Sequence, residues 1–281
     1  MKSIVVGVDF QNQSYSAMKF AVNMALKIDV KIVLVFVNKH HRSKDIFQRP
    51  ADKVVEEAEK RFVELIDKYK DQLSSDYFEW RVVEGEIHEE LELVASKSRA
   101  EIIVIGTHGR TGTRLFSTSG AFQIVEKCSI PVVTIKDGAR ISTDIKTILV
   151  PIDGSLESRQ KVPYSVRMSR IFNAEIHMLA MYHTKTGSVI ESINSYTKQA
   201  AAYLERQSIN FIVKSIETDD VVRTTINYSE EINADLIASM STQLSSTSNL
   251  WKGTYAEQII CKSHVPVLNI QTKDFIRTLS R

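Results

Sequence analysis

The chain alternates short apolar runs with longer segments in which apolar residues recur every three or four positions. The first run, SIVVGV at residues 3–8, is rich in β-branched residues and ends at Asp9. A segment with helical spacing follows, and a second run, KIVLVFV, occupies residues 31–37. Short continuous apolar runs are typical of strands buried on both faces, and the longer spacing is typical of an amphipathic helix. The pattern predicts a βαβ unit.

The same alternation continues to about the middle of the chain. Residues 50–73 form a charged segment with an apolar stripe, and residues 87–98 have a second helical pattern. Further apolar runs at residues 77–83, 100–105 and 131–135 predict three more strands. Five strands that alternate with helices indicate a doubly wound parallel sheet with right-handed crossovers.

This order of elements then repeats. The run that starts at Thr147 corresponds to the run at Ser3 with an offset of 144 residues, and the closing runs PVVTI and PVLNI start at Pro131 and Pro266. We therefore predict an α/β protein with two tandem, doubly wound, parallel five-stranded sheets of Rossmann-like topology. The predicted domains are residues 1–137 and 146–273, with a polar linker at 138–145 and a C-terminal tail at 274–281.

Composition narrows the classes of function. With 281 residues, the chain is long enough for two domains of about 100–200 residues each. Its 36 Lys and Arg against 34 Asp and Glu give a net charge of only +2, so we expect no nucleic-acid partner. No segment approaches about 18 apolar residues, so we expect no membrane span and a cytoplasmic location. Cys128 and Cys261 lack a metal-ligand spacing and are expected to be reduced thiols.

The candidate chemistry lies after the fourth strand. That apolar run ends at Gly106 and Gly109, ahead of another helical pattern. Parallel sheets hold ligands at the carboxyl ends of their strands, where glycine lets the backbone approach and a helix N-terminus favours anions. The pattern predicts an anion site, most simply for a nucleotide phosphate. Asp9 ends the first strand at the same edge, and a ligand role is favoured there over a helix cap.

Catalytic and metal motifs are not found in the sequence. It has no P-loop, no nucleophile elbow and no HExxH helix, and the pair His40 and His41 lacks a third metal ligand. His108 is expected to pack and form hydrogen bonds rather than act in catalysis. For Arg110, phosphate neutralisation and simple exposure remain equally open. We expect a binding protein without enzymatic activity.

Four local features resemble the universal stress protein family in both halves, more strongly in the first. They are the first-strand aspartate with a serine-containing turn, the phrase AEIIVIGTHG, the start of the helix after it, and the closing PVxxI. The resemblance implies the family's adenine nucleotide alpha hydrolase-like fold and a loop of the form G-x2-G-x9-G-[S/T] around the phosphates. It further implies ATP or a related adenine nucleotide as ligand, accompanied by Mg²⁺, in the first half only. The implied binding residues are Asp9, Val37, Gly106, Gly109, Arg110, Thr118, Ser119 and Gly120.

Both loops depart from the family pattern. In the first half, Thr118 and Ser119 stand at the family's G-[S/T] position, which leaves the loop one residue short. In the second half the spacing is intact, but Met240 and Gln243 replace the two glycines. We therefore expect the second half to bind no nucleotide, and we favour a capping role for Asp153.

Three functional hypotheses remain open. The leading one is a cytoplasmic stress-response protein that binds the nucleotide and signals through its conformation or a partner. The others are a nucleotide-free scaffold and, with less support, a slow nucleotide hydrolase. The edge strands from Val132 to Ile135 and from Val267 to Ile270 are predicted to pair, which would join the halves as an intramolecular pseudo-dimer. Association into a homodimer is implied by the resemblance alone.

Overall fold

A computed structural model of the chain describes residues 2–38, 51–108, 116–241 and 254–271. Strands and helices alternate in both halves, as the apolar pattern predicts. The first half contains β1 (Ser3–Gly7), α1 (Asn12–Ala25), β2 (Lys31–Asn38), α2 (Ala51–Asp67), β3 (Phe78–Glu84), α3 (Ile87–Lys97), β4 (Ala100–Thr107), α4 (Thr118–Lys127) and β5 (Val132–Lys136). The second half contains β6 (Thr147–Ile152), α5 (Val162–Phe172), β7 (Glu175–Tyr182), α6 (Gly187–Arg206), β8 (Phe211–Glu217), α7 (Val221–Glu231), β9 (Leu236–Met240), α8 (Tyr255–Lys262) and β10 (Val267–Ile270).

The strands form one sheet rather than two separate ones. Its order is β3-β2-β1-β4-β5-β10-β9-β6-β7-β8, so each half has the doubly wound parallel order that the sequence predicts. The halves join where β5 and β10 run antiparallel, with Val267 opposite Thr134 and Asn269 opposite Val132. The predicted pairing of the two edge strands is thereby confirmed, and it merges the two five-stranded sheets into a continuous ten-stranded one.

The two faces of this sheet are packed differently. Central strands such as β1 are buried along their whole length, and alternate residues point to opposite faces. On the face covered by α1, α2, α5 and α6, one apolar core crosses the junction and includes Val133 and Leu268. On the other face the core is divided between the halves, although Ile260 of α8 packs into the core of the first half. The shared core ties the orientation of the halves to the strand pairing.

Polar contacts at the junction reinforce the pairing. The amide of Asn269, only 1% exposed, donates to the Val132 carbonyl and the Thr134 hydroxyl across the junction, both at 3.1 Å. Two linker residues make such contacts. The Ser142 carbonyl accepts a hydrogen bond from Asn23 of α1, and Arg140 donates to Asp235 of the second half. The linker is thus attached to both halves. No helix among the described residues is long and apolar enough to cross a membrane.

Asn269→Ala is expected to lower the free energy of unfolding by about 1–3 kcal/mol, because it removes buried hydrogen bonds across the junction. Urea denaturation followed by circular dichroism measures the change. Asn210→Ala, at an exposed position, is the matched control and should change stability by less than about 0.5 kcal/mol. Equal losses in the two variants would show that the junction does not depend on this amide.

Candidate functional site

The first half has a crevice at the carboxyl ends of β1 and β4. These strands are neighbours, and the strand order reverses between them, which is where doubly wound sheets open to ligands. Asp9 follows β1 and His108 directly follows β4. Nε2 of His108 lies 2.8 Å from Oδ2 of Asp9, and their side chains are 6% and 5% exposed. The crevice therefore has a buried hydrogen-bonded pair at its base.

The start of α1 fixes the Asp9 carboxylate. Its Oδ1 accepts hydrogen bonds from the Ser14 hydroxyl at 2.8 Å and from the Gln11 backbone N–H at 3.0 Å. A carboxylate has about four acceptor positions, two on each oxygen. With His108 on Oδ2, that oxygen retains the capacity to accept one more donor. His108 is a hydrogen-bonding residue, as predicted, but the sequence did not indicate that Asp9 is its partner.

A cavity of about 260 Å³ adjoins Asp9. Phe10 and Phe36 line it, with ring centroids 5.2 Å apart, and the Arg61 guanidinium lies 5.7 Å from the Phe10 ring centroid. Phe10 has a φ of 57°, a left-handed conformation that is uncommon for a bulky residue. The sequence reasoning missed these aromatic residues, although Phe10 directly follows Asp9.

Gly106 has a packing role that the sequence did not reveal. A Cβ atom at this position would lie 2.2 Å from the Gln13 carbonyl oxygen, so the first turn of α1 approaches β4 only because residue 106 is glycine. The two residues predicted to follow it in the phosphate loop, Gly109 and Arg110, lie outside the described residues.

Two contacts of Phe116, which lies just before α4, connect it to the ends of β4 and β1. The His108 backbone N–H donates to the Phe116 carbonyl at 2.9 Å, and Phe116 is buried. Its ring lies against Gly7, where a Cβ atom would come within 2.9 Å of Phe116 Cζ. Phe116 was not among the residues that the sequence singled out. It belongs to an apolar contact that holds the carboxyl end of β1 against the start of α4.

The residue that caps α4 precedes Thr118 and Ser119, the two residues at the family's G-[S/T] position. Ser117 is the N-cap of α4, and its hydroxyl accepts from the Gly120 backbone N–H at 3.2 Å. Ser119 is exposed, and its Oγ lies 3.1 Å from Oγ of Ser117. The helix itself begins at Thr118. Val37 is buried in the core that α3 and α4 cover, so its side chain contributes to packing there.

Two buried polar atoms lie near the Asp9–His108 pair. Thr107 directly precedes His108, and Gln13 packs against Gly106. Among the described residues, Thr107 Oγ1 and Gln13 Oε1 have no hydrogen-bond partner. Buried polar groups normally have partners, so these two atoms are exceptions in the described part of the chain. The cavity itself is lined by the Asp9 carboxylate and by the aromatic rings of Phe10 and Phe36.

The equivalent position in the second half is differently built. Asp153 follows β6, and its Oδ1 accepts from the backbone N–H of Ser155 at 2.9 Å and from its hydroxyl. Asp153 thus closes a turn. The short 3₁₀ helix Leu156–Arg159 that follows has Ser155 as its N-cap, and α5 has Lys161. The expected capping role for Asp153 was therefore wrong, because its carboxylate is used before either segment begins.

A buried lysine, Lys161, lies close to Asp153. Lys161 is completely buried, and burial lowers the pKa of its ammonium to about 8, while the nearby Asp153 carboxylate opposes part of that shift. Tyr255 is buried in the same region, with its hydroxyl 2.9 Å from Thr225 Oγ1, and burial raises its pKa. The sequence reasoning missed Lys161.

The rest of the second-half crevice is filled by side chains. A Cβ atom on Gly154 would lie 2.8 Å from Val189 of α6, and Met240 at the end of β9 is fully buried. Gln243, the second residue predicted to replace a loop glycine, lies outside the described residues. Among the described residues of this half, the side chains of Val189 and Met240 thus occupy space beside the ends of β6 and β9.

Comparison with known proteins decides the family. A family model described as the universal stress protein family matches residues 1–136 and again residues 144–271. The chain belongs to the universal stress protein family. Universal stress protein MJ0531 of Methanocaldococcus jannaschii is 24% identical over 144 residues, which is 48% of this chain and 82% of that protein.

Solved structures agree with this assignment at the level of the fold. A universal stress protein from Archaeoglobus fulgidus DSM 4304 matches with a TM-score of 0.71 at 16% identity, and the match covers 97% of each chain. A universal stress protein from Archaeoglobus fulgidus was solved in complex with dAMP; it matches 45% of this chain and 97% of its own at 14% identity, with a TM-score of 0.36. The bound dAMP belongs to that structure and is not a finding about this chain.

Metal and thiol chemistry find no support in the described parts of the chain. They contain no group of three or more His, Cys, Asp or Glu residues that could hold a metal ion. Cys128 is buried, and desolvation raises the pKa of its thiol to about 12. A thiol with so high a pKa is a poor nucleophile at neutral pH.

Gly106→Ala is expected to lower the free energy of unfolding by about 1–3 kcal/mol, because the added methyl group overlaps the Gln13 backbone. Gly187→Ala is the matched control, since a Cβ atom there would meet no heavy atom within 4 Å. Chemical denaturation of both variants measures the difference. Packing at Gly106 would be refuted if the two alanine variants were equally stable.

Lys161 should make stability depend on pH. Its pKa is about 8 in the folded protein and 10.5 in the unfolded chain, so between these values the unfolded state binds more protons. Burial of the charge therefore destabilises the fold below pH 8, and this penalty disappears as the pH rises to 10.5. A shift of this size corresponds to about 3 kcal/mol.

Lys161→Met should remove this increase in stability with pH, whereas Lys198→Met at an exposed position of α6 should retain it. Urea unfolding measures the pH dependence of stability for the wild type and both variants. The measurements cover several pH values from about 7.5 to about 9.5, within the titration range of a shifted lysine. The stability of the wild type relative to Lys161→Met should increase with pH. A constant difference would mean that Lys161 has an ordinary pKa.

Proposed function

We propose that the protein binds ATP or a related adenine nucleotide in the crevice of its first half. The observation that carries the proposal is the buried Asp9–His108 pair at the switch point of the sheet, beside a cavity lined by Phe10 and Phe36. Its role is binding rather than catalysis, in a cytoplasmic stress response that acts through conformation or a partner protein.

The crevice supplies complementary groups for each part of a nucleoside. Oδ2 of Asp9 is the acceptor for a ribose hydroxyl, and the rings of Phe10 and Phe36 offer an apolar wall to the base. Val37 of β2 is proposed to contribute through its backbone, because its side chain packs in the core.

The phosphates belong at the start of α4 in this proposal. A helix N-terminus attracts negative charge, and the hydroxyls of Ser117 and Ser119 lie there. Gly109, Arg110 and Thr118 complete the proposed phosphate-binding segment, with Gly120 in the first turn. A bound nucleotide would bring Mg²⁺ as the counterion of its phosphates.

The second half is assigned a supporting role. Lys161 and Val189 fill the space that a ligand would need beside Asp153 and Gly154. The proposal is therefore that each chain binds one nucleotide in its first half. The second half of the pseudo-dimer stabilises the first.

A nucleotide-free scaffold is the second candidate function. Both oxygens of Asp9 already accept hydrogen bonds, and the adjoining cavity of about 260 Å³ is smaller than the roughly 300–1,000 Å³ of most ligand pockets. In this alternative, the aromatic residues complete the core and the Asp9–His108 pair is purely structural.

A thermal-shift titration distinguishes the two candidates. Mg-ATP and Mg-AMP at about 100 times the dissociation constant should stabilise the wild type by about 2.7 kcal/mol, because a ligand stabilises the state that binds it. Asp9→Asn should lose this ligand-induced shift. Asp153→Asn, the matched change in the second half, should retain it when each variant is compared with its own ligand-free melting temperature.

Two outcomes would contradict nucleotide binding in the first half. The absence of any shift in the wild type at millimolar nucleotide would favour the scaffold. A shift that survives Asp9→Asn and disappears with Asp153→Asn would move the site to the second half.

A further inference from the structure

A cleft of about 680 Å³ lies between the two halves, away from the Asp9 crevice. In the first half it adjoins the amino ends of the strands: Lys2 precedes β1, and Arg99 and Glu101 flank the start of β4. The second half contributes Tyr164 and Arg167 of α5. Asp9 and His108 follow the carboxyl ends of β1 and β4, so this cleft is at the opposite edge of the sheet.

Positive charge exceeds negative charge in this cleft. Three cationic residues line it, Lys2, Arg99 and Arg167, and Glu101 is the one acidic residue among its described lining. The Glu101 side chain is only 8% exposed and forms ion pairs with both Lys2 and Arg167. One carboxylate cannot neutralise two cations. The cleft has a formal excess of two positive charges, equal to the net charge of the whole chain, +2.

Arg99 has no competing partner. No ion pair or side-chain hydrogen bond joins its guanidinium to any residue that the structure describes, and the residue is exposed. Its backbone has a φ of 53°, which a glycine would adopt at lower cost, and its N–H donates to the Ser96 carbonyl. The turn between α3 and β4 thus holds an unpaired guanidinium at the cleft.

Arg167 faces the same space from the second half. Its side chain is 43% exposed, and desolvation lowers its pKa because its charge is partly removed from water. The electrostatic field of a positively charged cleft with low-dielectric walls is focused toward its opening. Guanidinium groups bind phosphate and carboxylate oxygens in a forked geometry that lysine cannot provide.

The remaining walls are partly apolar. Ile130 and Pro131, which precede β5, and the ring of Tyr164 are half-buried there. Ligand sites occur preferentially between domains and combine apolar walls with a few fixed polar groups. The cleft combines two guanidiniums with an apolar wall, and it has room for more than a bare ion. These features fit a small organic phosphate, in which the dianion is attached to an apolar group.

We propose that this cleft binds a small organic phosphate, held by Arg99 of the first half and Arg167 of the second. The ligand would then be bound across the junction and would strengthen the contact between the halves. This site goes beyond the proposed nucleotide function, since it uses other residues at another edge of the sheet.

Isothermal titration of the full chain with phenyl phosphate at low ionic strength tests the proposal, because this probe has the dianion and the apolar ring without a nucleoside. Phenyl phosphate should bind more tightly than inorganic phosphate. Arg99→Gln should weaken binding at least about tenfold, which corresponds to the loss of a charge-assisted contact. Arg167→Gln should also weaken it, and thermal melting checks that each variant is folded.

Two controls locate the site. Arg206→Gln removes another exposed arginine, which lies outside the cleft, and should leave binding unchanged. Asp9→Asn should also leave it unchanged, although it abolishes nucleotide binding, so the two proposals can fail separately. The proposal is overturned if wild-type protein binds no phenyl phosphate up to about 10 mM, a concentration that would detect even millimolar affinity. Equal affinity in Arg99→Gln, or loss of binding in Asp9→Asn, would overturn it as well.

Discussion

The antiparallel pairing of β5 with β10 is the constraint on which the rest of the molecule depends. It joins two parallel five-stranded sheets into one, and it lets a single apolar core extend across the junction on one face. Each half alone would present β5 or β10 as an edge strand with unpaired backbone groups. Because the pairing is antiparallel, the carboxyl ends of the strands in one half lie at the same edge of the sheet as the amino ends in the other. The two crevices therefore open at opposite edges.

This separation is consistent with two copies of one fold that have diverged without disturbing each other. In the first half, Asp9 bonds to His108 beside a cavity lined by aromatic rings. In the second half, Lys161 is buried near Asp153, and Val189 lies within 2.8 Å of the position that a Cβ atom on Gly154 would take. Burial of the Lys161 ammonium destabilises the folded state at neutral pH. The two halves thus share one fold but differ in the side chains that follow β1 and β6.

The fold was predictable because local patterns determine it. Buried strands such as residues 102–105 are continuous apolar runs, and the repeat of PVVTI as PVLNI identified the strands that pair at the junction. The details of the site were less accessible, because they depend on contacts between residues far apart in the sequence. His108 and Asp9 are 99 residues apart, and the packing role of Gly106 comes from the backbone of Gln13. Lys161 is an ordinary lysine in the sequence, and only its complete burial beside Asp153 gives it significance.

In the proposed function, the first half of the chain binds a nucleotide and the second half supports it. Equilibrium dialysis with radiolabelled Mg-ATP at saturating concentration measures the binding stoichiometry and tests this division of roles. One nucleotide per chain is expected, since a cavity of about 260 Å³ adjoins Asp9, whereas Val189 lies against Gly154 in the second half. Two nucleotides per chain would contradict the filled second crevice, and none would contradict the assignment of the first.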